Sequence, residues 1–218
     1  MPGLHPSFGV LLPKRHLPPQ STQTISSGIS IAAYIFFRLL LRIMRIVSGI
    51  AKGRKIIPPQ IEDVRPTKDR VREAVFNSLT SFDLIEGRHF FDLFAGSGAL
   101  GLEALSRGAK SATFVDHQKA CIDVICENIA TLEFRDISEV KHCDYLQVVE
   151  SIGERDVALL DPPYTFFDWD GLLESLPAEA VVIESEREIP LPEPWTSIKA
   201  KKYGSTFVVI AKRTRKIP

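Results

Sequence analysis

From His89 to Glu184 the chain alternates short apolar runs with amphipathic stretches, and this rhythm restricts the fold more than any other feature of its 218 residues. His89–Phe94, Ser111–Val115, Ser138–His142, Val157–Leu160 and Ala180–Glu184 read as strands. Between them Ala99–Arg107, Gln118–Leu132, Tyr145–Ile152 and Gly171–Leu176 read as helices. Two further strands, Ile198–Tyr203 and Thr206–Ala211, join through the Gly204-Ser205 turn as an antiparallel hairpin. Strands separated by helices form right-handed βαβ units. The expectation is therefore an α/β fold, a mostly parallel seven-stranded sheet with helices on both faces. Ligands of such sheets sit off the carboxyl ends of the strands, so chemistry is to be sought just after each strand.

Ahead of this core, Arg45–Val47 and Arg54–Ile57 read as two short strands around Gly49 and Gly53, closed by Pro58-Pro59. Thr67 can cap a helix running to about Leu79, with Val71, Val75, Phe76 and Leu79 on one buried face. Residues 44–80 are thus expected to form a small β-hairpin arm with a helix, and 81–218 the main domain. Residues 1–43 are expected to be a poorly ordered leader. Their apolar part is broken by Arg38 and Arg42 and does not reach the roughly 18–20 residues of a membrane span. A signal peptide lacks a convincing small-residue cleavage site here. The acid-poor composition leaves an organelle transit peptide open, and a start at Met44 is the further alternative.

The net charge of zero hides an uneven distribution. Arg45 to Arg72 holds eight basic residues against three acids, 73–198 eight basic against 24 acidic, and 199–216 seven basic and no acid. Basic ends on an acidic body suit contact with a polyanion, although solvated surface charge gives the same composition. Three cysteines, Cys121, Cys126 and Cys143, do not make a disulfide framework or a four-ligand zinc site, which implies a reducing, cytoplasmic setting.

The first strand runs into Asp92-Leu93-Phe94-Ala95-Gly96-Ser97-Gly98-Ala99-Leu100-Gly101, whose glycines spell G-x-G-x-x-G. A plain strand-to-helix turn would also use glycines; a ligand-binding loop uses them so that backbone can approach the ligand. Asp92 separates the possible cofactors. A carboxylate just ahead of the glycines opposes a pyrophosphate but suits S-adenosylmethionine, which carries an ammonium and a sulfonium and no phosphate. Asp116, ending the second strand, can accept from both ribose hydroxyls, and Asp144, ending the third, can hold an adenine amino group. Each of these aspartates is alternatively a helix cap.

Asp161-Pro162-Pro163-Tyr164 follows the apolar strand Val157–Leu160. The prolines hold the chain extended, so the Asp161 carboxylate and the Pro162 carbonyl can converge on one amino group. Tyr164 offers a face on which a nucleobase can stack. An exocyclic base nitrogen is a poor nucleophile because its lone pair is delocalised; accepting both N–H bonds frees that pair, and catalysis is then positioning and charge stabilisation. Phe166, Phe167 and Trp169 follow as either a base-clamping flap or ordinary packing.

From Met44 to about Lys212 the chain resembles the bacterial 16S rRNA guanine-N2 methyltransferase family, class I methyltransferases acting on guanine 966. The resemblance is carried by Met44–Gly49, Lys52-Gly53-Arg54-Lys55, Arg65-Pro66-Thr67-Lys68-Asp69-Arg70-Val71-Arg72-Glu73, Phe94–Ala104, Asp161–Tyr164 and Glu184-Ser185-Glu186. The family more often has Glu where Asp116 stands. The resemblance implies a Rossmann-like class I methyltransferase fold with S-adenosylmethionine as cofactor. It implies that Asp92, Phe94, Gly96, Gly98, Asp116, His117, Asp144 and Tyr145 bind that cofactor, and that Asp161, Pro162 and Tyr164 receive the guanine. Arg45, Lys52, Arg54, Lys55, Arg65, Thr67, Lys68, Arg70 and Arg72 would face the RNA, consistent with the need of phosphate neutralisation for a basic surface.

Only 54 residues follow Tyr164, and the sheet needs them, so no large target-reading domain is expected. The base must then arrive unpaired, from looped or single-stranded RNA. The expected partner is 16S rRNA in the small ribosomal subunit, the expected enzyme a cytoplasmic monomer without metal or membrane contact. The same chemistry would serve adenine or cytosine amines of other RNA or DNA. An assembly factor that binds cofactor without turnover is the alternative from another class.

Overall fold

The computed structural model describes residues 44–59, 69–153 and 156–214, all within the unit Leu40–Pro218. Residues 1–43, expected to be a leader, and the expected RNA contacts Arg65, Thr67 and Lys68 lie outside the described residues. Two short strands, β1 (Met44–Arg45) and β2 (Lys55–Ile56), pair antiparallel. Helix α1 (Asp69–Ser81) follows, then β3 (His89–Asp92), α2 (Ala99–Ser106), β4 (Ser111–Asp116), α3 (Lys119–Leu132) and β5 (Ser138–His142). After β5 come β6 (Val157–Leu160), α4 (Trp169–Ser175), β7 (Ala180–Ser185), β8 (Trp195–Tyr203) and β9 (Thr206–Arg213).

The main sheet has seven strands in the order β5-β4-β3-β6-β7-β9-β8. Strands β3 to β7 pair parallel, and β9 pairs antiparallel with both β7 and β8, as expected of a parallel core closed by a C-terminal hairpin. The chain winds outward from β3 through β4 to β5, then returns to lay β6 on the other side of β3. The direction of winding thus reverses between β3 and β6, which opens a crevice at their carboxyl ends.

Strand alternation builds two apolar layers. Phe90, Leu159 and Val182 face Phe76 of α1, Leu102 of α2 and Ile125 of α3. Phe91, Leu160 and Ile183 face Leu172 and Leu173 of α4. The central strand β6 is buried along its whole length, which is why it reads as an uninterrupted Val-Ala-Leu-Leu run.

The segment expected to be a helix over Tyr145–Ile152 is instead two 3₁₀ turns, Tyr145–Gln147 and Val149–Ser151. The β-branched pair Val148-Val149 disfavours a continued helix, and both valines are buried against the second layer as they stand.

The hairpin arm is not a free projection. Met44, Ile46, Ala51 and Ile56 are buried in the first layer. Glu103 of α2, fully buried, accepts the Val47 and Ser48 backbone N–H groups at 2.7 and 3.0 Å. Ser106 accepts the Ala51 N–H through its hydroxyl and the Ile50 N–H through its carbonyl. The arm is thereby fastened to the helix that follows the glycine loop.

Candidate active site

A cleft opens at the reversal between β3 and β6. It is lined by Asp92 to Ser97, Ala99 and Leu100, by Asp116 to Gln118, by Cys121, by Cys143 to Tyr145, by Asp161 to Tyr164, and by Met44 of the arm. The carboxyl ends of four strands therefore converge on one space, and Asp92, Asp116, Asp144 and Asp161 all border it.

The glycine loop has the geometry its spelling predicts. Gly96 and Gly98 take left-handed backbone (φ 55° and 78°), Gly98 as the N-cap of α2. Gly101 lies so close to β4 that a Cβ would sit 2.3 Å from the Phe114 ring. The third glycine thus serves helix–sheet contact and the first two shape the loop.

Asp92 is 1% exposed, and one carboxylate oxygen accepts the Gly101 N–H at 3.0 Å. Burial pushes its pKa up to about 7; the Gly101 N–H works against this, and the nearby charges of Asp161 and Asp116 add to it. Asp116 accepts the Gly96 N–H at 2.9 Å and the Gln118 N–H at 2.8 Å, one on each oxygen. It is thus a brace of the glycine loop, and a carboxylate's remaining lone pairs are what it can offer a ribose. Burial, with the charge of Asp116 beside it, drives the Cys121 thiol up to about 12, so that this sulfur stays a neutral wall group. Asp144 caps the first 3₁₀ turn by accepting the Leu146 N–H at 2.9 Å, and remains exposed at the cleft mouth. His117 is largely exposed at the rim, with Nδ1 3.8 Å from Asp116.

On the β6 side Asp161 is half-buried, Pro162 buried and Tyr164 58% exposed. Phe94, Tyr145, Phe166 and Trp169 form one aromatic cluster with ring centroids 5.1–5.8 Å apart. Phe166 and Trp169 are thus packed into this cluster, Trp169 buried and Phe166 partly so.

No Lys or Arg lines the cleft among the described residues. A dinucleotide pyrophosphate would find four carboxylates and no counter-charge there. A ligand carrying an ammonium and a sulfonium finds a buried carboxylate in Asp92, so the residues present fit S-adenosylmethionine.

The basic residues divide. Lys52, Lys55 and Arg70 are exposed, and Arg45 is exposed while paired with Asp69 at 3.1 Å. Arg54 is drawn onto the C-terminus of α3, donating to the Thr131 and Leu132 carbonyls, with Glu133 3.6 Å away. Arg72, expected on the RNA side, is fully buried, donating to the Arg45 carbonyl at 2.6 Å and Asp69 at 2.9 Å, with Glu103 3.6 Å away. Two structural side chains escape a reading from spacing alone. Glu103 joins arm, α1 and α2; fully buried Asn128 bonds both polar groups of Ile57 and the Ser97 carbonyl. The signal for Asn128 is a polar residue on the Ile125–Ile129–Leu132 face of α3.

A family model described as conserved hypothetical protein 95 matches residues 44–212. The ribosomal RNA small subunit methyltransferase D of Haemophilus influenzae is 36% identical over 174 residues, covering 74% of this chain and 89% of that protein. The protein of the same description from Escherichia coli is 37% identical over 160 residues, covering 68% and 78%. A solved Escherichia coli structure, described as a candidate methyltransferase, yhhF, superposes with a TM-score of 0.70 at 31% identity, covering 80% of this chain and 99% of that one. With the glycine loop, the Asp-Pro-Pro-Tyr turn and the cleft they share already in place, these likenesses assign the chain to the conserved hypothetical protein 95 family, that of the small-subunit ribosomal RNA methyltransferases D.

Proposed function

We propose that this protein transfers a methyl group from S-adenosylmethionine to the exocyclic N2 amine of guanine 966 in 16S rRNA of the small ribosomal subunit, acting as a cytoplasmic monomer. The observation that carries the reading is the placement of Asp161 on the same cleft as Asp92 and Asp116, with no basic side chain lining it among the described residues. No helix among the described residues is long and apolar enough to cross a membrane.

Asp92, with the backbone of Gly96, would hold the cofactor's amino-acid end, Asp116 its ribose and Asp144 its adenine, while Phe94 and Tyr145 supply apolar walls; Gly98, which does not line the cleft, shapes the loop from behind. The bound cofactor supplies an electrophilic methyl on a positively charged sulfur. Asp161 and the Pro162 carbonyl accept the two N–H bonds of the guanine amine, which turns its lone pair toward that methyl. Tyr164 stacks on the purine and fixes its plane. The Asp161 carboxylate, beside the amine, would take the proton that the nitrogen sheds once methylated and pass it to solvent. Most of the gain comes from holding the two reactants in line. The exposed Lys52, Lys55 and Arg70 supply phosphate contacts that the acidic body cannot.

The test is label transfer from methyl-labelled S-adenosylmethionine to small subunits of a strain lacking the modification, with the methylated base mapped by digestion and mass spectrometry. Label at one guanine of 16S rRNA, on N2, is the expected result. Label on adenine or in DNA, or cofactor binding with no transfer, would each overturn the reading.

A further inference from the structure

Phe166 and Phe167 are chain neighbours with opposite surroundings. The Phe166 ring is held within the aromatic cluster, 5.3 Å from Phe94 and 5.1 Å from Trp169. Phe167 is 87% exposed. Its loop is pinned on both sides: the Phe166 N–H donates to the Pro163 carbonyl at 2.8 Å, and the Trp169 N–H donates to the Phe167 carbonyl at 3.0 Å, with Trp169 itself buried. A bare phenyl ring is thus presented outward by a braced loop.

A single exposed apolar side chain needs no explanation by itself. Its position supplies one. Phe167 is three residues beyond Tyr164, which lines the cleft and is 58% exposed. Three residues span at most about 10 Å, a distance comparable to one or two nucleotides of extended strand. The surrounding chain carries Asp161, Asp168 and Asp170, and no Lys or Arg occurs from 161 to 186. The loop that presents Phe167 thus offers phosphate no counter-charge of its own, and what it can offer an RNA strand is a ring for the uncharged face of a base.

We propose that Phe167 is a substrate-positioning residue on which a nucleobase flanking the target guanine stacks when the RNA strand enters the cleft. The proposal rests on the reading of function above and names a contact outside the methyl-transfer pocket. The base must be unpaired, since stacking on a side chain requires a splayed strand. The contact acts on RNA affinity and leaves the chemical step alone.

The test compares Phe167→Ala, Phe167→Leu and Phe167→Trp in the full chain, with undermodified small subunits as substrate. Phe167→Ala is expected to raise the RNA KM about 5- to 150-fold, the equivalent of one base stacked on an aromatic ring, with kcat and cofactor Kd unchanged. Phe167→Trp is expected to restore the KM and Phe167→Leu to fail, because a plain apolar contact would accept leucine. The slope of log affinity against log salt is expected to stay as in the wild type, since no phosphate contact is lost. An unchanged KM in the alanine variant, or leucine matching phenylalanine as it would against a protein surface, overturns the proposal. A wild-type protein that methylates no RNA would overturn the functional reading and this proposal together; an active wild type with an indifferent Phe167 overturns the stacking contact alone.

Discussion

Arg72 and Glu103 face each other across the α1–α2 contact with both side chains fully buried, the guanidinium Nε 3.6 Å from the carboxylate. Glu103 also receives Arg107 at 2.7 Å and two backbone N–H groups of the arm, while Arg72 reaches Asp69 and the Arg45 carbonyl. A buried charge is tolerable only when compensated in this way.

Removing one side of that arrangement should therefore be costly. Glu103→Ala takes a carboxylate from Arg72 and Arg107 and leaves the Val47 and Ser48 N–H donors without their acceptor, and is expected to destabilise the protein by about 3–5 kcal/mol, roughly a 6–20 °C fall in Tm. Thermal and denaturant unfolding check this. A loss below about 1 kcal/mol would show that the arm and α1 do not depend on Glu103.

Gly101 has no room for a side chain. Gly101→Ala would place a methyl 2.3 Å from the buried Phe114 ring, so α2 must shift away from β4. Overpacking of this kind is expected to cost about 1–3 kcal/mol and to weaken cofactor binding, because the shift is felt at the loop that α2 begins. Calorimetry of the variant measures both effects.

Asp92 makes cofactor binding depend on pH. Its pKa is raised to about 7 by burial, so below that pH the free protein carries it protonated. A cationic amino group requires the ionised form, and affinity is expected to rise about tenfold per pH unit up to pH 7 and then level off. Binding near pH 6 should release a proton, visible as a buffer-dependent enthalpy, and Asp92→Asn should abolish that release. The sign for stability is opposite. A folded-state pKa above the unfolded one means that Asp92's contribution to the free protein is full in acid and is lost as pH rises through about 7.

Asp161→Ala is expected to keep cofactor binding and lose transfer by about a hundredfold or more, since the substitution removes the acceptor at the reacting amine and acts on the cofactor only through the minor effect of its charge on Asp92. Single-turnover kinetics beside equilibrium binding separate the two quantities. A fully active variant would remove Asp161 from the chemistry.

The arm's charges should act through salt. Lys52→Ala and Lys55→Ala are each expected to reduce the slope of log affinity for RNA against log salt by about one, with kcat unchanged. Arg54→Ala should instead act mainly on stability, because its guanidinium is already spent on the carbonyls ending α3. Binding titrations at several salt concentrations distinguish the two kinds of residue.

Fold and cleft were legible in the chain to the extent that they depend on local pattern. A parallel strand buried on both faces has to be a continuous apolar run, so Val157–Leu160 was readable to the residue. The glycine spacing and the Asp-Pro-Pro-Tyr turn were readable because each answers a backbone demand within a few residues. The 3₁₀ turns after Asp144 were not, because the apolar spacing of Tyr145, Val148 and Val149 satisfies a helix equally well.

By itself the sequence determined the strand order in time, the residues at each strand's carboxyl end and the uneven charge of the two ends, since these follow from periodicity and composition. Only the tertiary structure decided which charges face outward. Arg72 carries the same unit of charge as Lys52 and Lys55, yet it is buried against Glu103, 31 residues away in the chain, while Arg54 stays exposed with its guanidinium held on the carbonyls that end α3. Whether a cation is solvated or buried depends on what folding brings within about 4 Å of it, and that distance exists only once the layers have closed.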